Sequence, residues 1–136
     1  MTVSYMDEEP NGLAAMLGGL IEANLKAHPE RERLLAKPAT FAITATDADV
    51  SVTIHLGDGA VKVANGVRGH PHVVVRATSE DLMGLSSVPL RMGQPDAMTK
   101  EGREVLAKIF KGDVKVKGVV TQSGRLRRLN ELLSVT

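Results

Sequence analysis

Apolar and polar positions alternate most strictly over residues 50–56, with Val50, Val52, Ile54 and Leu56 on one side and Ser51, Thr53 and His55 on the other. A period of two marks a half-buried strand. Gly57-Asp58-Gly59 follows as a tight turn, because glycine reaches positive φ at no steric cost, and Val61 and Val63 carry the return strand. Residues 41–46 before this hairpin and 72–77 after it keep the same period, set apart by Asp47-Ala48-Asp49 and by Asn65-Gly66 with Gly69-His70-Pro71. The pattern predicts an antiparallel meander with one apolar face. Such a face must be covered.

Helical spacing supplies the cover. Leu13, Met16, Leu17, Leu20, Ile21 and Leu25 predict an amphipathic helix to about Ala27, weakened at Gly18-Gly19, while residues 1–12 show no period and are expected to be a flexible N-terminus. Pro29 suits the first turn of a short helix over 30–37, which Pro38 ends. Thr78-Ser79-Glu80-Asp81 has capping-box form and opens a helix carrying Leu82, Met83 and Leu85. Residues 88–95 hold Val88, Leu90 and Met92 but are too broken by proline and glycine for a helix, and are expected to be lid-like.

From Asp96 or Thr99 a further helix is expected to Lys111, presenting Met98, Val105, Leu106, Ile109 and Phe110 and stopped by Gly112. Residues 113–118 form one more short strand, whose outward Lys115 and Lys117 suit a sheet edge. The last helix, 122–133, groups Leu126, Leu129 and Leu133 with Leu132 beside them, and sets Arg125, Arg127 and Arg128 elsewhere. The order predicts an α+β fold: a five-stranded, mainly antiparallel sheet with helices covering one face, residues 13–136 forming a single domain.

Charge and composition narrow the function. With 17 basic against 16 acidic residues the formal net charge is +1, too small a field to attract nucleic acid, so no nucleic-acid partner is expected. Cysteine is absent, which excludes disulfides, thiol nucleophiles and thiolate metal sites. The acidic Asp7-Glu8-Glu9 start lacks the form of a signal peptide and no long apolar run occurs, so a cytoplasmic protein is expected. Apolar residues make up 43% of the chain, yet Tyr5, Phe41 and Phe110 are its aromatics beside six methionines. Leu, Val and Met must fill the interior, as an aliphatic core or as the lining for a flexible apolar ligand.

Candidate chemistry is sparse. His70-Pro71-His72 has metal-like spacing, but no third ligand converges in sequence, and turn and strand-start histidines are the better reading. Ser79 beside Glu80 and Asp81 is explained by helix capping, and no nucleophile elbow surrounds any serine. Gly57-Asp58-Gly59 joins two strands and opens no helix, so it is no phosphate loop. No metal, cofactor or catalytic group is expected, and the chain is not read as an enzyme. Arg125, Arg127 and Arg128 read as a solvated helix face, with transient contact to anionic lipid headgroups as the alternative.

Three stretches, "FAITATDADVSVTIHLGDGAVKV", "VVVRATSEDLMGL" and "IFKGDVKVKG" before an amphipathic helix, resemble the sterol carrier protein-2 family of small lipid-binding domains over about residues 13–133. The resemblance implies a five-stranded sheet with helices on one face and a tunnel between them for a fatty acid, acyl-CoA or sterol. By position the helix at Ser79, the segment ending in Ile109-Phe110-Lys111-Gly112 and the last helix would border that tunnel. Leu82, Leu85, Met92, Met98, Leu106, Ile109, Phe110, Leu126, Leu129 and Leu133 either line it or pack solidly as core. Residues 88–107 exceed the loop usual in that family, so an added segment stands at the tunnel mouth as a lid or a plug. The ending Ser134-Val135-Thr136 also differs from the family's peroxisomal Ser-Lys-Leu address. The expected function is non-catalytic carriage of a hydrophobic ligand; the alternative is a protein-interaction or accessory domain, as a monomer or a homodimer, whose cavity its own side chains fill.

Overall fold

In the computed structural model, residues 3–86, 90–91, 94–95, 100, 103–104, 115–117 and 123–133 are described. In chain order they form β1 (Val3–Tyr5), α1 (Gly12–Ala27), a 3-10 helix (Pro29–Leu35), β2 (Ala39–Ala45), β3 (Val50–Gly57), β4 (Ala60–Asn65), β5 (Val73–Ala77), α2 (Ser79–Ser86), β6 (Leu90–Arg91), β7 (Gln94–Pro95), β8 (Lys115–Lys117) and α3 (Ser123–Leu133). The short helix expected over 30–37 is thus a 3-10 helix beginning at the proline. β6 and β7 pair as a small antiparallel ribbon inside the segment read as broken. Of the helix expected to Lys111, Lys100, Arg103 and Glu104 are helical and the rest lies outside the described residues.

The main sheet runs β1-β4-β3-β2-β5-β8 and is mixed, which corrects the mainly antiparallel expectation. β2, β3 and β4 form the expected meander, but β5 lies parallel to β2 on its far side instead of next to β4. The five expected strands are joined by β1, which pairs in parallel with β4 at one edge, while β8 is the other edge. At the β3–β4 turn Asp58 and Gly59 take φ of 53° and 75°, the left-handed pair that a two-residue type I′ hairpin turn requires.

Parallel strands usually need a crossover of a dozen residues or more. Here residues 66–72 suffice, and the register shows why. Asn65 pairs with Val52, while Val73 pairs with Phe41, which pairs with Ile54, so β5 starts only two residues below the level where β4 ends. The chain must travel about 7 Å along the strands and three strand spacings, about 14 Å, across them. An extended connection of this length spans that at about 3.3 Å per residue. It crosses on the face away from the helices, over Ala42, Thr53 and Ala64, all with 0% exposure. Thr53 Oγ1 donates to Gly66 O at 2.7 Å and accepts from Arg68 N at 2.9 Å, so the buried hydroxyl is satisfied twice by the chain above it.

On the other face Phe41, Ile43, Val52, Ile54, Val61 and Val63 pack against Leu13, Leu17, Ile21 and Leu25 of α1 and Leu34 and Leu35 of the 3-10 helix. Each buried aliphatic or phenyl group contributes about 1.5–3 kcal/mol relative to exposure. Asn11 caps α1, its Oδ1 accepting from Ala14 N at 2.8 Å. Residues 1–12 lack a sequence period, yet from Val3 onward they are tied to the sheet. Asn65 is the anchor: its N donates to Asp7 Oδ2 at 2.8 Å, its Oδ1 accepts from Asn11 N at 2.9 Å and its Nδ2 donates to Glu9 O at 2.9 Å.

Two neighbouring glycines in α1 have opposite surroundings. A Cβ on Gly18 would lie 2.5 Å from the Tyr5 hydroxyl, whereas one on Gly19 meets nothing within 4 Å. Gly19→Ala is therefore expected to raise stability by about 0.5–1 kcal/mol, the helix-propensity difference, in a denaturant melt. Gly18→Ala should forgo that gain and expel the ring; Tyr5 is the chain's one tyrosine and tryptophan is absent, so its fluorescence reports the change directly. Asn65→Ala should lower stability by about 1–2 kcal/mol through two lost side-chain hydrogen bonds and speed amide exchange across residues 3–11. Unchanged exchange there would show that Asn65 is not the anchor.

Candidate functional site

The helix-covered face is the place where a tunnel was expected. Leu82 of α2 and Leu129 of α3 are buried in one core with Val73, Val75 and Ala77 of β5, and Leu133 packs against it. Leu132, which the sequence set only beside that group, is fully buried. Leu85 and Leu126 stand on α2 and α3, their side chains outside the described residues, and Met92, Met98, Leu106, Ile109 and Phe110 lie outside them entirely.

Side chains hold α3 in place. Arg128 donates from Nε at 3.1 Å and from Nη2 at 2.7 Å to Leu34 O, and from Nη2 also to Lys37 O. It therefore closes the carbonyl end of the 3-10 helix rather than belonging to a solvated face, as sequence position implied. Burial, and then the charge of Arg125, lower its pKa. Asn24, buried in α1, donates from Nδ2 to Leu132 O at 3.0 Å, and Arg33 pairs with Glu131 at 3.2 Å. At α2, Thr78 Oγ1 accepts from Asp81 N at 3.2 Å as the capping box requires, and Asp47 Oδ1 accepts from both Ser79 N and Ser79 Oγ at 2.9 and 3.0 Å. Those bonds from Ser79 hold the Asp47 carboxyl below its usual range. Thr78 is thus the cap of α2, and Ser79 is a donor to Asp47.

The opposite, open face carries a polar row. Register places Ser4 beside Lys62, Lys62 beside His55 and His55 beside Thr40. Thr40 N donates to His72 Nδ1 at 3.1 Å and His72 N donates to Thr40 O at 2.8 Å. The first of these bonds puts the lone pair on Nδ1 and the proton of the neutral ring on Nε2. Beside the row, Pro38, His55, Leu56, Gly57, Asp58, Ala60 and Lys62 line a depression of about 230 Å³. Burial, then Lys62 and Arg68, hold the His55 imidazole below its ordinary pKa; burial, then Arg125, do the same for His72. His70 is exposed in the crossing connection. Among the described residues no group of three or more His, Cys, Asp or Glu side chains could hold a metal ion. No helix among them is long and apolar enough to cross a membrane.

Sequence reasoning missed Asn65, Thr53, Asp47 and Arg128 as organising residues. Asn65-Gly66 announced a turn and Thr53 an outward strand position, but their partners lie too far along the chain for any spacing to reveal.

No family model matches the chain, and no curated protein matches it. Solved structures do. The ubiquinone synthesis protein UbiJ-SCP2 matches with a TM-score of 0.62 at 15% identity, over 89% of this chain and 92% of that one. The sterol carrier protein domain 2 of Helicoverpa armigera matches with a TM-score of 0.54 at 16% identity, over 98% and 96%. A third match, the inverting sec-alkylsulfatase Pisa1 from Pseudomonas sp., has a TM-score of 0.50 at 16% identity; it covers 77% of this chain but only 14% of that enzyme. The chain has a fold of the sterol carrier protein-2 type.

Both displaced histidines predict one pH dependence. A folded-state pKa below the unfolded value near 6.5 favours the neutral ring in the fold, so stability is full above that value and falls as pH drops below it. Denaturant midpoints should decline between about pH 7 and pH 5, and the double variant His55→Asn, His72→Asn should flatten that decline. A wild-type midpoint constant across this window would contradict the assignment.

Proposed function

We propose that this chain is a non-catalytic carrier of an apolar ligand, such as a long-chain acyl group or a sterol-like ring system, held between the sheet and helices α2 and α3. The observation that supports it is the likeness of fold, over nearly the whole chain, to UbiJ-SCP2 and to the Helicoverpa armigera sterol carrier domain. Leu82, Leu129 and Leu133 add an apolar surface on the helix side of β5, where such a ligand would lie. Affinity would come from apolar area removed from water, about 25 cal/mol per Å², with few polar contacts and hence broad selectivity. Leu85, Met92, Met98, Leu106, Ile109, Phe110 and Leu126 complete the lining in this proposal.

Native mass spectrometry of the purified protein, followed by solvent extraction, tests it. A stoichiometric lipid is the expected result. An empty protein that also takes up no fatty acid, acyl-CoA or sterol would overturn the carrier role and leave a domain filled by its own side chains. Leu82→Trp, which adds volume at the edge of the core, is expected to weaken uptake of a fluorescent fatty acid by about tenfold with the circular dichroism unchanged.

A further inference from the structure

The chain holds four asparagines, and two of them, Asn11 and Asn65, stand immediately before glycine. At such a pair the glycine amide can attack the asparagine side chain with little hindrance, because no Cβ shields its nitrogen. The fold brings both pairs to one place. Asn11 N donates to Asn65 Oδ1 at 2.9 Å, while Asn11 Nδ2 and Gly66 N both donate to Ser51 O, at 3.0 and 2.8 Å. Asp7 Oδ2 accepts from Asn65 N and Glu9 O accepts from Asn65 Nδ2. Arg68 pairs with the other Asp7 oxygen.

This knot opposes the reaction. The amide atoms of Asn65 are held by residues 9 and 11, whereas Gly66 N donates to β3, and a nitrogen that donates to Ser51 O keeps the proton it must lose before it can attack. Of the two pairs, Asn65 is the one whose conversion alters the fold. An aspartate at a helix N-cap still accepts from the helix amides as asparagine does. At position 65 an aspartate cannot donate to Glu9 O.

We propose that Asn65 is a site of spontaneous deamidation, protected while residues 7–11 are docked and, once modified, unable to hold them again. In the opened segment hydroxide takes the Gly66 amide proton and the nitrogen adds to Asn65 Cγ. The Cγ–Nδ2 bond breaks and ammonia leaves with a proton from water, which restores the hydroxide. Water then opens the cyclic imide at either carbonyl, leaving aspartate or isoaspartate. Water is consumed and ammonia released, with no change of oxidation state. The new carboxylate stands beside Asp7, whose own carboxylate Asn65 N contacts, so a lost hydrogen bond and like charge both act to free residues 7–11. Isoaspartate also adds a methylene to the backbone where β4 passes into the crossing connection. β1 leads into the freed segment and covers the edge of β4 with Val3 buried. Its departure leaves that edge open to another strand. The device does not depend on the carrier role, since it lies at the sheet edge away from β5 and β8.

Peptide mapping of the full chain tests it, with isoaspartate detected by methyltransferase labelling after incubation in mildly alkaline buffer, folded and in urea. In the fold Asn65 should convert at least about tenfold more slowly than in urea, since two side-chain hydrogen bonds must first open. Asp7→Ala, which frees Asn65 N, and Tyr5→Ala, which removes the ring packed on Gly18, act on the same segment by different contacts. Each should speed the folded conversion about fivefold and leave the rate in urea unchanged. Asn65→Asp supplies one product directly and should speed amide exchange across residues 3–11 at least as much as Asn65→Ala does. Equal rates in the fold and in urea, a folded rate moved by neither variant, conversion at Asn24 or Asn130 as fast as at Asn65, or wild-type exchange in Asn65→Asp would each overturn the proposal.

Discussion

Everything in this fold depends on one short chain crossing. β5 returns to lie parallel to β2, and the seven residues that bring it there pass over a row of small side chains, bonded through Gly66 N to Ser51 O and His72 N to Thr40 O at the ends and to the hydroxyl of Thr53 between them. A hydroxyl is both donor and acceptor, so one buried atom satisfies the carbonyl of Gly66 and the amide of Arg68. A valine of the same shape would bury both backbone groups without partners. Ala42 and Ala64 flank the site because any larger group would lift the connection off the sheet.

From that crossing the rest of the architecture follows. With β5 beside β2, the helix that leaves its end stands on the same face as α1 but toward the opposite edge of the sheet, and β8 can add at the edge beyond it. α1 closes the β3–β4 side, while α2 brings Leu82 to the β5 side. α3 is then fixed by polar bonds to α1 and the 3-10 helix through Asn24, Arg33 and Arg128, which leaves its leucines to the core. Positioning by hydrogen bonds at the helix ends and burial along the helix face are separate tasks, performed by different residues.

The two faces of the sheet consequently have different chemistries. Toward the helices the strands present aliphatic groups and Phe41, a surface suited to holding something apolar. Away from them they present hydroxyls, imidazoles and cations around the crossing connection, with Met6 and Val67 at its margins. Asn65 sits where the two meet, since it ends β4, starts the crossing and ties down residues 7–11.

Much of this was legible in the sequence. The period of two from Val50 to Leu56 assigned each side chain to a face, Asp58-Gly59 marked a hairpin turn, Thr78 announced the start of α2, and Lys115 and Lys117 belonged to an edge strand, because each of these is decided within a few residues by backbone sterics and side-chain alternation. Leu82 and Leu129 are buried on the helices that their spacing predicted, whereas the choice between a filled core and a lined cavity is a matter of volumes that no periodicity encodes. Alternation states which face a residue occupies and is silent about which strand lies next to it, since amphipathic strands are interchangeable as neighbours. The parallel pairing of β2 with β5, the docking of β1 on β4, and the partners of Thr53, Asn65 and Arg128 were therefore decided by tertiary structure alone, where register, reach of the connection and the need to satisfy buried polar groups select one arrangement.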